Sequence, residues 1–368
     1  MPNKIRVMLV DDSAVIRGLF DRALNADGGI EIVASASNGE IAINMLKKTP
    51  ADVIVLDVEM PVMDGLTALP KLLDVAPQSK IIMASTLTTR NAEVSLQAMQ
   101  QGAADYIAKP STKDTGEVSE FYRNLITKIK ALAPHVKTES KKAPAATNTA
   151  PEPSNEVPRG FEAIPVPSMP VRKAEQLVHM SALAIASSTG GPQALLSLFR
   201  EFKGVAVRVP IFITQHMPAN FTAILADHIG KASGITCHEA VDGETVKSGQ
   251  IYIAPGDYHM TIHKDGSNKI IKLNQNPPEN FCRPSADPML RSLAKVYSDK
   301  LVVAVLTGLG ADGARGASDV VSAGGGVVAQ DEATSVVYGM PKAVADAKLV
   351  SAVFPLNAIA PFLIRAIA

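Results

Sequence analysis

The chain has 368 residues, 46% of them hydrophobic and 20% charged, with 36 basic residues matched by 36 acidic ones. That length exceeds one ordinary core and implies two domains, while a formal net charge of zero removes the electrostatic basis for general nucleic-acid binding. Only two cysteines occur, Cys237 and Cys282, which excludes a disulfide framework and fits a reducing compartment. The first apolar run is too short for a secretory signal, and none reaches the roughly 18 residues of a membrane span. A cytoplasmic protein that is not membrane-embedded is expected.

Taken in chain order, short apolar runs at 7–10, 30–34, 53–56, 81–84 and 106–108 predict strands. Amphipathic stretches at 14–26, 40–47 and 93–100 predict helices between them. Strands apolar on both faces, alternating with helices, imply a five-stranded parallel, flavodoxin-like sheet covered on both sides, spanning residues 1–132. Residues 133–177 hold eight prolines, from Pro134 to Pro170, with no apolar periodicity, and predict a flexible linker. A second α/β domain is expected over 178–368, with strands near 182–186, 209–214, 251–254, 301–306 and 326–329. Its helices fall near 192–201, 219–230, 286–297 and 312–322, and a hairpin at 258–263 and 269–273 flanks Asp265-Gly-Ser-Asn. The fold class is α/β throughout, the second sheet being mostly parallel and doubly wound. In such sheets the active crevice lies beyond the carboxyl ends of the strands.

Asp11 and Asp12 directly follow the first strand, and Asp57 ends the third. These strands are neighbours in a doubly wound sheet, so three carboxylates converge. Like charges packed together need a cation, and an all-oxygen set suits Mg²⁺. Lys109 ends the fifth strand and Ser85 the fourth. The set reads as a carboxylate nucleophile, Asp57, attacking a phosphoryl group held by Mg²⁺ and Lys109; the plainer reading is loop acids that cap helices.

Leu9-Val-Asp-Asp-Ser, Val55-Leu-Asp-Val-Glu-Met-Pro-Val-Met-Asp-Gly and Ala108-Lys-Pro resemble the receiver domains of bacterial response regulators. The resemblance implies that Asp57 is the phosphoacceptor and that Asp12 and Asp57 bind Mg²⁺, with Asp11 in support. It also implies that Lys109 senses the acyl phosphate, that Ser85 and Tyr106 occupy the switch positions, and that a histidine kinase is the donor.

In the second half, Ala186-Ser-Ser-Thr-Gly-Gly-Pro lies between a strand and a helical pattern, a turn that exposes a serine and gathers backbone N–H groups. Alone it is as readily a phosphate-binding or tight-turn loop. His216, in Thr214-Gln-His-Met-Pro, follows the next strand, and Asp312, in Thr307-Gly-Leu-Gly-Ala-Asp-Gly, follows a later one. Three strand ends thus carry Ser188, His216 and Asp312 towards one crevice as nucleophile, base and orienting acid. His259 and His263, in the hairpin, read as a solvated strand face rather than a metal pair.

A rival reading starts from Gly308-x-Gly310-x-x-Gly313 with Asp331 further on, the spacing of a dinucleotide fingerprint. It leaves Ser188 and His216 without a role and sets Asp312 against a pyrophosphate. A non-enzymatic regulator that only binds a partner or DNA is the other alternative; no helix-turn-helix signature or basic stripe supports it.

Ser188-Thr-Gly-Gly-Pro, Gln215-His-Met-Pro, Ile253-Ala-Pro-Gly-Asp, Arg283-Pro-Ser-Ala-Asp and the Thr307 motif resemble the catalytic domain of chemotaxis protein-glutamate methylesterases. That resemblance implies hydrolysis of γ-glutamyl methyl esters on methyl-accepting chemotaxis receptors, releasing methanol, with receptor glutamines also deamidated. It assigns Ser188, His216 and Asp312 to catalysis and makes the N–H groups around Thr189 and Leu309 oxyanion candidates. Arg283 becomes a substrate-side candidate. The chain departs from the family pattern at Ala186-Ser187, usually Gly-Ala, and at Leu309, usually Met.

Overall fold

The computed structural model describes residues 4–86, 88–109, 115–133 and 164–368. The N-terminal unit alternates β1 (Ile5–Val10), α1 (Ala14–Asn25), β2 (Ile30–Ala36), α2 (Gly39–Leu46), β3 (Val53–Asp57), α3 (Gly65–Val75), β4 (Lys80–Ser85), α4 (Thr89–Gln100), β5 (Asp105–Ala108) and α5 (Thr115–Leu132). Its strands run in the order β2-β1-β3-β4-β5, all parallel. The order reverses between β1 and β3, so Asp11 and Asp12 meet Asp57 at the switch point. Short polar side chains start the helices: Ser13, Asn38, Asp64 and Thr88 each accept a backbone N–H from the first turn of the helix that follows. Gly65 is required by contact rather than by dihedral angle, because a Cβ there would collide with the carbonyl oxygen of Asp57.

The C-terminal unit comprises β6 (Ala182–Ser187), α6 (Gly191–Arg200), β7 (Ile211–Gln215), α7 (Phe221–Ser233), β8 (Thr236–Glu239), β9 (Gln250–Ile253), β10 (His259–Asp265) and β11 (Asn268–Asn274). It continues with α8 (Ala286–Tyr297), β12 (Leu301–Val305), α9 (Ala314–Ser322), β13 (Gly326–Gln330), α10 (Met340–Asp346), β14 (Ala352–Phe354) and α11 (Leu356–Ile367). Seven strands form one sheet, β14-β13-β12-β6-β7-β9-β8, every pair parallel. The expected hairpin is present as β10–β11 and forms its own antiparallel pair. Along β6, Leu183 and Ile185 enter one apolar layer with Leu195, Phe199 and Leu363. Ala182, Ala184 and Ala186 enter the opposite layer with Leu290, Leu293 and Val303. Alternation with both faces buried is the signature of a sheet between two helical layers.

Of the expected linker, 134–163 lies outside the described residues. Residues 164–177 lie against the C-terminal unit. Ser168 N donates to Ser322 Oγ at 3.0 Å, Arg172 Nη1 donates to the carbonyls of Asp299 and Gly324 at 2.7 and 3.1 Å, and Leu177 is 1% exposed. The Leu177 side chain fills the space a Cβ at Gly326 would need. Leu177→Ala should therefore cost about 2–4 kcal/mol in chemical unfolding of the C-terminal unit. A change below about 0.5 kcal/mol, as for an exposed linker residue, would contradict this packing.

Candidate active site

Around Asp57, the carboxylate oxygens of Asp11, Asp12 and Asp57 approach within 4.8 Å of one another. Lys109 Nζ bridges two of them, 2.7 Å from Asp11 and 2.8 Å from Asp57. Burial pushes the Asp57 carboxyl up to about 6, against the pull of Lys109. Three hard oxygen donors at this spacing suit a small divalent cation, and the residues fit Mg²⁺. Ser85 is buried at the end of β4, where its hydroxyl shares a 3.1 Å hydrogen bond with that of Ser95 on α4. Tyr106 is buried too, and its ring stacks on Phe221 of the other unit at 4.6 Å.

The second cluster forms where β12, β6 and β7 lie side by side, so the loops leaving their carboxyl ends are neighbours. Ser187 and Ser188 separate clearly there. Ser187 is buried and donates to Gln215 Oε1 at 2.7 Å, whereas Ser188 is half-buried on the turn into α6. Gln215 Nε2 returns a bond to the Ser188 carbonyl at 2.9 Å, stitching the turn to the end of β7. Ser188 N donates to Thr307 O at 3.0 Å. Gly308 has no room for a side chain, because a Cβ would run into Ser188 and the sulfur of Met340.

His216 Nε2 lies 2.7 Å from Asp312 Oδ2. Asp312 precedes α9, whose N-cap is Gly313, and does not cap it. Its carboxylate accepts from Ser285 Oγ at 2.6 Å, Ala286 N at 2.6 Å, Asp287 N at 3.2 Å and Asn280 Nδ2 at 2.8 Å, which places it at the start of α8. Burial would raise this carboxyl, but the bonds from His216, Ser285 and Ala286 hold it below the ordinary value. Ionised Asp312 accepts from Nε2–H, so in the neutral imidazole Nδ1 is the nitrogen without a proton. Nδ1 faces Cys282 Sγ at 3.3 Å. Burial disfavours the imidazolium, whereas the neighbouring Cys282 and Asp312 favour it and raise the His216 pKa above its ordinary value.

Other expected residues sit elsewhere. Arg283 is held by Asp257 at 2.6 Å and by the carbonyls of Gln275 and Asn276 at 3.1 Å, which ties it to the hairpin exit. His259 is not on a solvated face: it is buried, accepts from Ser285 N at 3.2 Å and lies 3.2 Å from Pro277 O. Its neighbour His263 is exposed. The first glycine of the dinucleotide spacing is closed off by protein contacts. Gly308 is packed against Ser188, its N–H donates to Val337 O at 3.0 Å and its carbonyl accepts from Met340 N at 2.8 Å. Sequence reasoning passed over Asn280 and assigned no role to Gln215, Ser285 and Cys282, which stand in or beside the matched motifs. Of these only Ser285 carried a local signal, as a serine opening an amphipathic helix.

The N-terminal unit sits directly on this site. Thr189 Oγ1 donates to Asp105 Oδ2 at 2.7 Å, and Gln193 Nε2 to Met99 O at 2.9 Å. Asp105 is also ion-paired to Lys128, and Leu309 packs against an apolar cluster made mainly of N-terminal residues.

The CheB methylesterase family matches residues 183–363 and the response regulator receiver domain matches residues 7–117. The protein-glutamate methylesterase/protein-glutamine glutaminase 1 of Paramagnetospirillum magneticum is 51% identical over 366 residues, covering 99% of this chain and 96% of that protein. The chain belongs to the CheB methylesterase family. A second family relative, the protein-glutamate methylesterase/protein-glutamine glutaminase of Azospirillum brasilense, is 51% identical over 98% of this chain and 92% of its own. Among solved structures, the CheB methylesterase catalytic domain of Thermotoga maritima is 38% identical over 51% of this chain and 98% of its own, with a TM-score of 0.49.

The Asp57 environment has a measurable consequence. Its carboxyl stands at about 6 in the folded chain against an ordinary 3.8, so the folded state binds this proton more tightly. That contribution is present below the unfolded value and is lost as pH rises through the folded one. Asp57→Asn should therefore raise the melting temperature of the chelator-treated chain at pH 8, by at most about 3 kcal/mol of stability, and change it little at pH 4. An equal effect at both pH values would contradict the burial account.

Proposed function

We propose that phosphoryl transfer to Asp57 controls a serine esterase centred on Ser188. Its substrates are γ-glutamyl methyl esters of methyl-accepting chemotaxis receptors, with receptor glutamines deamidated at the same site. The observation that carries the reading is the meeting of three loops beyond adjacent strands, with His216 and Asp312 already joined at 2.7 Å. The names of the relatives, methylesterase and glutaminase, support the substrate class.

In this mechanism neutral His216 takes the Ser188 proton on Nδ1 while Nε2–H stays on Asp312. Ser188 Oγ attacks the ester carbonyl, and the oxyanion is met by the N–H groups around Thr189 and Leu309. Collapse expels the methoxy group, which takes the proton from His216 and leaves as methanol. Water, deprotonated by the same nitrogen, then releases the glutamate carboxylate. The amide of a glutamine follows the same path and leaves as ammonia.

On the N-terminal side Asp12 and Asp57, supported by Asp11, would hold Mg²⁺, which when bound offsets charge on the phosphoryl oxygens. Lys109 would exchange its bonds to Asp57 and Asp11 for the acyl phosphate. Strand β5 leads from Tyr106 and Asp105, both engaged with the esterase unit, straight to Lys109. A change at Lys109 is thus transmitted over a few residues of one strand to the contacts with Phe221 and Thr189. A histidine kinase is the donor in this reading. Among the described residues no helix is long and apolar enough to cross a membrane, and the cytoplasm is the proposed compartment.

Methanol release from methylated receptor fragments tests both halves. Ser188→Ala should reduce kcat by about 10³-fold or more while acetyl phosphate still phosphorylates Asp57; turnover retained, or fluorophosphonate labelling at Ser187, would sink the assignment. Tyr106→Ala, which removes the ring from Phe221, should raise the basal rate several-fold and blunt further activation by acetyl phosphate. A basal rate equal to wild type would disconnect the docking contact from control.

A further inference from the structure

Cys282 touches the His216 ring, and the esterase chemistry leaves it unused. Its sulfur lies 3.3 Å from Nδ1, the nitrogen that must take the Ser188 proton, while Nε2 is held by Asp312 at 2.7 Å. Thiol, imidazole and carboxylate therefore stand in one row, the arrangement that activates a thiol nucleophile. Among the described residues no hydrogen bond joins the Ser188 hydroxyl to His216, so in this state the base serves sulfur.

The loop bearing Cys282 is held in place from both sides. Asn280 donates to Asp312 and to Asp287, each at 2.8 Å, and Cys282 N donates to Glu279 O at 2.9 Å. Asn280 and Phe281 adopt φ of 52° and 62°, a left-handed conformation that persists in such residues only where the surroundings enforce it. The titratable groups around the pair are Asp312 and Asp287, Glu279 bound to Arg291, and Arg283 bound to Asp257. Cys237 supplies a contrast in the same chain, since burial without a basic partner pushes its thiol up to about 12.

We propose that Cys282 is a modification site, a thiol activated by His216 and Asp312 that reacts with hydrogen peroxide and soft electrophiles and, once modified, denies Ser188 its base. With peroxide, His216 Nδ1 takes the thiol proton and the sulfur attacks one peroxide oxygen. An S–O bond forms as the O–O bond breaks, and the departing hydroxide recovers the proton from His216 as water. The sulfur loses two electrons to the peroxide and becomes a sulfenic acid, the first and reversible step of cysteine oxidation. The functional consequence rests on His216 being the esterase base; the reactivity of the thiol does not.

Alkylation of the full chain by iodoacetamide, followed by mass spectrometry from pH 5.5 to 8.5, is the test. Cys282 should label at least tenfold faster than Cys237 throughout this range. His216→Gln should slow labelling of Cys282 about tenfold at pH 7. Peroxide should yield a dimedone adduct at Cys282, with esterase lost in step, and the esterase of Cys282→Ala should resist both reagents. Equal labelling of the two cysteines, or a His216→Gln chain that labels as fast as wild type, would overturn the proposal; the comparison of the two cysteines requires no variant to fold. Ser188→Ala should label as fast as wild type, which separates this test from the fate of the esterase assignment.

Discussion

Asp312 is 1% exposed and ionised, and a buried carboxylate costs several kcal/mol unless donors surround it. The C-terminal fold supplies them from three separate places. The opening turn of α8 contributes backbone N–H groups and the Ser285 hydroxyl, the 280 loop contributes Asn280, and the end of β7 contributes His216. Each donor belongs to a segment that must be in position for the charge to be tolerated. Satisfying this one carboxylate therefore sets the 280 loop, the start of α8 and the His216 imidazole at once. The same requirement fixes which imidazole nitrogen carries the proton, and so which one is free to act as a base.

The two halves solve their chemistry with the same topological device. In each, the chain turns away from a central strand to both sides, and loops from adjacent strands meet beyond the carboxyl ends. The N-terminal crevice collects carboxylates and Lys109; the C-terminal one collects a serine, a histidine and a carboxylate. What joins them is short. Strand β5 carries Asp105 and Tyr106 against Thr189 and Phe221 and ends beside Lys109, so the Asp57 crevice and the Ser188 turn are linked through one strand of four residues rather than across a whole domain.

Legibility in the sequence followed locality. The apolar runs, the alternation of strand and helix, and the strand-end placement of Asp11, Asp12, Asp57, Ser188, His216 and Asp312 could all be read because each depends on near neighbours in the chain. Elements near the C-terminus were less visible: β14 has three residues, too few for a periodic signal, and α11 carries an internal proline, Pro361. Arg283 attracted notice through its motif, yet it serves Asp257, while Ser285 and Asn280, close by in sequence, do the work around Asp312. His259 looked like one member of an exposed pair, but the turn into α8 closes over it.

The sequence by itself determined the α/β class, the five-stranded parallel sheet of the first half, the parallel sheet with a hairpin of the second, and the strand ends that carry reactive groups. Periodicity and strand-end position are local properties, and they survive without knowledge of packing. Only the tertiary structure decided strand order, and with it the adjacency of β12, β6 and β7 that brings His216 to Asp312. It also decided that Ser187 is tied to Gln215, that the receiver lies over Thr189, and that Cys282 occupies the free face of His216. These are contacts between segments dozens to more than a hundred residues apart, selected by the burial of polar and charged groups that no local pattern encodes.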